Sequence, residues 1–532
     1  MNYFLTSTTF YSNQDSQSIF IGCKEGDTPT QISLDQEILD TFQIVTFDST
    51  ILVEYCRNRN LILPKSIIDV FQLFKLVTGR PKKYHKLSQT KLIWIIFSQF
   101  VEEDEMKSII EILDYSPKQI SETNSMPQLI KFNIFFQQVF FSLESTLKLK
   151  QEFERYYKIE KPFNELLCQR QYFGIFISHK LLSEKIERVT KELNYFTKQL
   201  RYDYNIFSPQ NVFEIKNALK TENYKYLSKA INTKSFWSFV KSGSEHDKFL
   251  KLLYDTYRLR FDKKSLLKII VENDGKTYPI FDCCGSITSR TLVRMPYVQQ
   301  LKRSSRDIFV AKVGYTLLYV DYSQFEPGIL ASLANDETLI NCYNQVDLYK
   351  SLSIELFGNE QYRPLCKIIF LSFMYGMSIK GLEYLIKDFF HDNNDIKASN
   401  ISTFFSKFKS LVPYKNELEK IAFEEERVCS CLGNYRYFEN KSTATIPSKV
   451  KRWILSQKVQ GTASLILKTA ILQCILDNEI EFLIPMHDAA LFQIPVTKLE
   501  DKKAFIKNEF ENAFLKYCSK IKPKVLFKDF TE

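Results

Sequence analysis

The stretch Leu317-Leu318-Tyr319-Val320-Asp321-Tyr322-Ser323-Gln324-Phe325-Glu326 decides how this chain is read. The apolar run from Thr316 to Val320 has the length and composition of a buried strand, and it stops abruptly at Asp321. A carboxylate at a strand end, at the mouth of a cleft, suits a hard divalent cation, which takes oxygen ligands. Aspartate also caps the N-terminus of a following helix, and this stretch alone leaves both readings open.

Two further segments bear on that choice. Phe482 to Pro495 reads as two strands around a tight polar turn at His487–Asp488, which puts a second carboxylate on a hairpin tip. Taken singly it is an ordinary turn aspartate. Two strand-end carboxylates brought together make a two-metal site. One metal lowers the pKa of a hydroxyl nucleophile, and the other clamps phosphate and leaving oxygens. The third segment runs from Arg363-Pro364-Leu365-Cys366-Lys367 through Leu371 to Tyr375-Gly376. Steps of four place Arg363, Lys367, Leu371 and Tyr375 on one slowly drifting helix face, and Pro364 suits a first helical turn. Two cations beside the positive end of a helix make a triphosphate cradle; the plain alternative is a solvated charged face.

The rest of the chain bounds the answer. With 532 residues, 45% of them hydrophobic and 14% aromatic, it can bury several cores, so two or three domains are expected and bulk disorder is excluded. A net charge of +10 favours a nucleic-acid partner only weakly. The eleven cysteines lack zinc-ligand spacing and read as reduced, mostly buried thiols. The N-terminal residues Met1-Asn2-Tyr3-Phe4 do not open a basic region followed by an apolar stretch, and the nearest approach to a membrane-spanning run, Leu92 to Phe97, is far too short to span a bilayer. An intracellular, cytoplasmic protein without a membrane partner is expected, with cellular, phage, plasmid or organelle origin open. Tyr3–Leu5, Ile19–Gly22 and Phe42–Thr46 read as strands. Ser66 to Val77 and Lys91 to Val101 read as helices, with a basic stretch, Arg80-Pro81-Lys82-Lys83, between them. Leu182 to Leu200 suits one arm of a long exposed antiparallel helix pair.

Together the three segments resemble the motifs of the family A (bacterial DNA polymerase I type) polymerases, in order and in spacing. Asp321 to Glu326 is similar to the first, Arg363 to Gly376 to the second and His487-Asp488 to the third. Tyr156 to Ser178, Phe207-Ser208-Pro209-Gln210, Thr288-Ser289-Arg290-Thr291 with Met295-Pro296, Leu432 to Arg436 and Gln460-Gly461-Thr462-Ala463 extend the likeness over residues 150–532. The resemblance implies a mixed α/β (α+β) right-hand polymerase. Residues 1–150 would form a ribonuclease H-like, exonuclease-type domain and 151–532 the polymerase. Within it the thumb would span about 180–280, the palm about 281–340 and 450–532, and the fingers about 341–449.

It further implies roles. Asp321, Asp488 and the Tyr322 carbonyl would ligate two Mg²⁺ ions, with Mn²⁺ an alternative. Arg363 and Lys367 would hold the dNTP triphosphate, with Lys367 a proton donor to pyrophosphate. Leu371, Tyr375 and Gln324 would line the dNTP site, and Glu326 would block a ribose 2′-hydroxyl. Arg290, Arg436, Arg452, Gln460 and His487 would contact primer-template DNA. The expected enzyme is a monomeric DNA-directed DNA polymerase, with replication accessory proteins as further partners and roles in replication or repair. Five positions depart from the pattern. Leu371 replaces an aromatic residue, Pro327-Gly328 a Leu-Arg pair, Ala489 a glutamate and Ser456 an asparagine. Leu5-Thr6-Ser7-Thr8 stands where the exonuclease type carries Asp-x-Glu. Phe47-Asp48 and Ile68-Asp69 look like remnants of its later motifs, so that domain is read as degenerate and without proofreading. No 5′-nuclease region is expected. A single-subunit RNA polymerase, disfavoured by Glu326, and a non-catalytic DNA-binding relic are the alternatives.

Overall fold

The structure, a computed structural model, describes residues 1–11, 16–79, 89–98, 101–113, 125–232, 236–244, 247–345, 347–383, 398–438 and 448–531. An N-terminal sheet has the order β3-β2-β1-β4-β5. Its strands are β1 (Asn2–Tyr11), β2 (Ser16–Lys24), β3 (Thr30–Ile32), β4 (Gln43–Thr46) and β5 (Ile67–Asp69). β1 runs antiparallel to β2 and parallel to β4, which makes a mixed sheet. The helix Met126–Leu149 covers one face, packing Phe132, Phe136 and Phe140 against Phe4 and Val45. That core also takes in Tyr156, beyond residue 150.

Two early readings need adjustment. β1 and β2 extend past the expected strands at both ends. The helix expected from Ser66 begins only at Val70, because Ile67–Asp69 pairs with β4 as a strand. Three consecutive buried residues carry no periodicity, so strand and helix look alike in sequence there. The helix expected over Lys91–Val101 spans Gln89–Phe97. Arg80 to Lys83 lies outside the described residues.

Three ribbons follow along the chain: β6 (Ile175–Phe176) with β7 (Lys276–Thr277), β8 (Ile280–Asp282) with β9 (Leu292–Met295), and β11 (Arg427–Val428) with β12 (Arg436–Tyr437). The helix His179–Tyr204 pairs with Lys248–Leu266. Leu182 and Val189 share a core with Leu259 and Leu266, whereas Leu200 shares one with Phe249 and Leu250, so the pair is antiparallel as expected.

The second sheet carries the chemistry. It is antiparallel, ordered β13-β14-β10-β15, from β10 (Tyr315–Tyr322), β13 (Glu481–Met486), β14 (Ala489–Pro495) and β15 (Val525–Lys528). In β10, Leu318, Val320 and Tyr322 are buried while Tyr319 and Asp321 are half-buried. The two-residue period of a strand thus turns Asp321 away from the core. The helix Ser448–Cys474 buries Leu455, Val459, Ile466, Ala470 and Ile471, and every residue from Gly461 to Ala470 is buried, so its middle is internal.

A buried ion pair ties the N-terminal unit to the rest. Lys75 reaches Asp282 at 2.8 Å, and Arg294 joins the same carboxylate. Burial raises the Asp282 pKa, but the two cations outweigh it and hold the group well below the usual carboxylate range. All eleven cysteines are free thiols, eight of them buried. Among the described residues no helix is long and apolar enough to cross a membrane.

Candidate active site

The strand register brings the two aspartates together. Asp321 pairs with Ala489 in β14, and Ala489 pairs with Met486 in β13, which leaves His487-Asp488 as a two-residue turn beside the end of β10. The Tyr322 N–H donates to the Asp488 carbonyl at 3.2 Å. His487 supplies the left-handed conformation that such a hairpin needs, at φ 47°. The capping alternative for Asp321 fails, since the helix Phe325–Ala334 starts after Gln324 and Asp321 lies within the strand.

The electrostatics follow from crowding. The Asp488 pKa is pushed up to about 6, by burial first, then by the negative charges of Glu326 and Asp321, against the opposing charges of Arg290 and Lys367. Arg290 hydrogen-bonds Glu326 and lies 3.5 Å from Asp488. The Tyr375 hydroxyl donates to the other Glu326 oxygen. Burial and that carboxylate raise the Tyr375 pKa, while a hydrogen bond with Gln460 works against the rise. Lys528 on β15 ion-pairs with Asp321. Burial and the charges of Arg290 and Arg306 lower the His487 pKa. Three carboxylates therefore face one another, held together by arginine and lysine cations.

The helix Arg363–Met374 stands over this cluster, with Pro364 in its first turn as expected. Its inner face buries Leu365, Cys366, Ile369, Phe370 and Met374. Lys367 is exposed, Arg363 and Leu371 are half-buried, and Tyr375 caps the C-terminus. Arg363 binds Asp347 through Nε at 3.0 Å and Nη2 at 2.7 Å. Asp347 also caps the helix Leu348–Phe357, and Gln324 Oε1 accepts from the Leu348 N–H at 3.1 Å. Gln324 and Arg363 thus converge on one helix start. Gly376 has φ +89°, and a Cβ there would meet the Arg452 side chain at 3.0 Å, so Arg452 lies against the end of the helix.

A family model, DNA polymerase family A, matches residues 178–527. The chain belongs to DNA polymerase family A. Among its curated relatives, DNA polymerase I of Caldicellulosiruptor bescii is 25% identical over 389 residues, 67% of this chain and 45% of the relative. DNA polymerase theta of Caenorhabditis elegans is 24% identical over 364 residues, 64% of this chain and 22% of the relative. The alignments thus cover less than half the length of these curated relatives. A solved structure described as the POL domain of Pol1 from M. smegmatis in complex with DNA primer-template and dNTP superposes with a TM-score of 0.76. It is 17% identical and covers 100% of this chain and 96% of that one. The likeness shows a shared fold over the whole chain, the N-terminal sheet included.

Two of the departures have local causes. Gly328 packs under Tyr343, where a Cβ would come within 2.8 Å of the ring, so a larger residue is excluded. Ala489 is buried beside Asp321, and a carboxylate in its place would be taken out of water. Leu371 rests against the core. The structure gives no reason for Ser456. Of the residues expected at DNA, Arg436 stacks on Trp453 at 4.0 Å, Gln460 and Arg452 sit near Tyr375 and Gly376, and His487 is exposed at the hairpin tip.

Several contributors carried no motif. Arg290 is set by a buried network in which Ser289 Oγ donates to Glu160 at 2.9 Å and Ser464 Oγ donates to the Ser289 carbonyl at 2.7 Å. Lys468 donates to Glu160 at 2.6 Å and Arg155 donates to the same carboxylate at 2.8 Å, all three fully or almost fully buried. Glu160, Cys283 and Cys284 have metal-type geometry, but these two cations already balance the glutamate. Lys528 and Asp347 were equally silent, because only long-range pairing brings them to the site. In the N-terminal unit, Asp48 caps the helix Ser49–Asn58 and Asp69 caps Val70–Val77, so both expected remnants have structural work. Thr6, on β1, bonds the buried Asn133 at 3.1 Å.

Proposed function

We propose that this chain is a DNA-directed DNA polymerase that adds dNTPs to a primer 3′ end on a DNA template. The observation that carries the reading is the register of β10 against β14, which sets Asp321 beside Asp488 under a helix bearing Arg363 and Lys367. The donor set fits divalent cations. Asp321 and Asp488 are hard oxygen ligands in a cluster whose repulsion already raises one pKa, and an added positive charge relieves that repulsion. These two residues and the Tyr322 carbonyl would hold two Mg²⁺ or Mn²⁺ ions. When bound, such ions supply charge neutralisation and a more acidic primer hydroxyl.

The chain's own residues do the rest. Lys367 and Arg363 bind the triphosphate, with Arg363 exchanging Asp347 for a phosphate, and Lys367 donates a proton to the leaving pyrophosphate. Leu371 and Tyr375 bound the nascent base pair, and Gln324 fixes the floor of the pocket. Glu326, clamped by Arg290 and Tyr375, closes the space beside C2′ and selects deoxyribose. Arg290, Arg436, Arg452, Gln460 and His487 contact the duplex. Leu5-Thr6-Ser7-Thr8 stands on β1 where proofreading would need an Asp-x-Glu pair, so the enzyme extends without trimming. The protein works inside the cell as a monomer, with accessory replication proteins as further partners, in replication or repair.

A primer-template assay tests this. Templated extension with dNTPs, weak extension with rNTPs and no 3′ trimming of a mismatched primer are expected. Preference for rNTPs would favour an RNA polymerase, and duplex binding without extension would leave only a scaffold.

A further inference from the structure

A cavity of about 570 Å³ opens where the β13–β14 hairpin begins, at the end remote from Asp488. Gln493 on its wall lies five residue steps along β14 from Asp488, roughly 17 Å at the rise of a strand. The helix Lys161–Phe173 and the following β6 form the other side, contributing Arg170, Phe173 and Phe176. Three cations line it, Arg170, Lys276 and Lys312, against one carboxylate, Glu481.

Arg170 is the unusual member. Its side chain is about nine-tenths buried, with 11% of its surface exposed. One terminal nitrogen donates to the Gly174 carbonyl at 2.9 Å, and the other lies 3.7 Å from Glu481. The buried Nε has no hydrogen-bond partner. Glu481 is also shared with Lys312 and with Gln493 Nε2 at 2.8 Å, so it compensates Arg170 only in part. A buried guanidinium whose one carboxylate neighbour is shared leaves uncompensated positive charge at the wall, which an anion in the cavity would offset. Lys276 lies over the Phe176 ring at 5.0 Å, and Phe173 leaves 55% of its surface exposed at the mouth. Charge at the base and rings at the rim define an amphipathic guest, and the volume falls in the range of small-molecule sites.

We propose that this cavity binds a small organic anion whose aromatic ring stacks on Phe173 and Phe176 while its anionic head meets Arg170. The site stands apart from the Asp321–Asp488 cluster and does not depend on the polymerase reading. The probe is 1-naphthyl phosphate, titrated calorimetrically into the full chain with 1-naphthol and inorganic phosphate as controls. Binding at one site is expected, weakened tenfold or more by Arg170→Met and by Phe173→Ser, unchanged by Lys367→Ala, and not matched by either control. Phe173 is mostly exposed, so its variant keeps the core intact and decides the question if the Arg170 variant does not fold. Absent binding, equal binding by 1-naphthol, affinity unaltered in the Phe173 variant, or loss in the Lys367 variant would each overturn the proposal.

Discussion

Glu326 takes hydrogen bonds from both Arg290 and Tyr375 beside Asp488. On the proposed reading, Glu326→Ala removes the barrier at C2′, and it removes the acceptor of the Arg290 and Tyr375 bonds. Discrimination against rNTPs, read as the ratio of dNTP to rNTP kcat/KM, should fall about 10–200-fold, the usual worth of a steric contact. The same crowding sets a pH dependence. The Asp488 pKa is raised to about 6, so its proton is held more tightly than in an ordinary aspartate and leaves only as pH rises through that value. Divalent-metal binding requires the ionised form. Apparent Mn²⁺ affinity, followed by calorimetry, should be steady above pH 7 and fall about tenfold per unit below 6. These residues were legible in sequence because a motif fixes their identity. Their partners Asp347, Glu160 and Lys528 were not, because a lone charged residue means nothing until the chain folds back on it.

Among the elements, the helix Ser448–Cys474 and the β10–β14 pair matter most. Lys468 and Ser464 on that helix hold the Arg290 loop through Glu160 and Ser289. Glu160→Ala leaves Arg155 and Lys468 as buried cations without their shared carboxylate, and should cost about 3–5 kcal/mol in urea unfolding. The hairpin around His487–Asp488 and the long helix arm from Leu182 could be read in advance, since alternation and helical spacing are local signals. The short strand β5 could not, as three buried residues have no period. Nor could the pairing of β15 with β10, which joins segments some 200 residues apart with no local trace.

Over the whole molecule, two units are joined by the Lys75–Asp282–Arg294 cluster, whose pair Lys75–Asp282 is almost wholly shielded from water. Lys75→Met strips Asp282 of one of its two cations and should weaken that joint by about 1–3 kcal/mol, seen as separation of one unfolding transition into two. The two-sheet plan was legible from the strand and helix order, but this cross-link was not. The central claim is that folding places Asp321 and Asp488 in one metal-binding cleft. Single-turnover dNTP addition to a primer-template, measured for Asp321→Asn and Asp488→Asn beside the unaltered chain, tests it most directly. Each substitution should slow addition by about 10²–10⁴, worth several kcal/mol of transition-state stabilisation, with duplex affinity little changed. Addition at the unaltered rate by either variant would contradict the account.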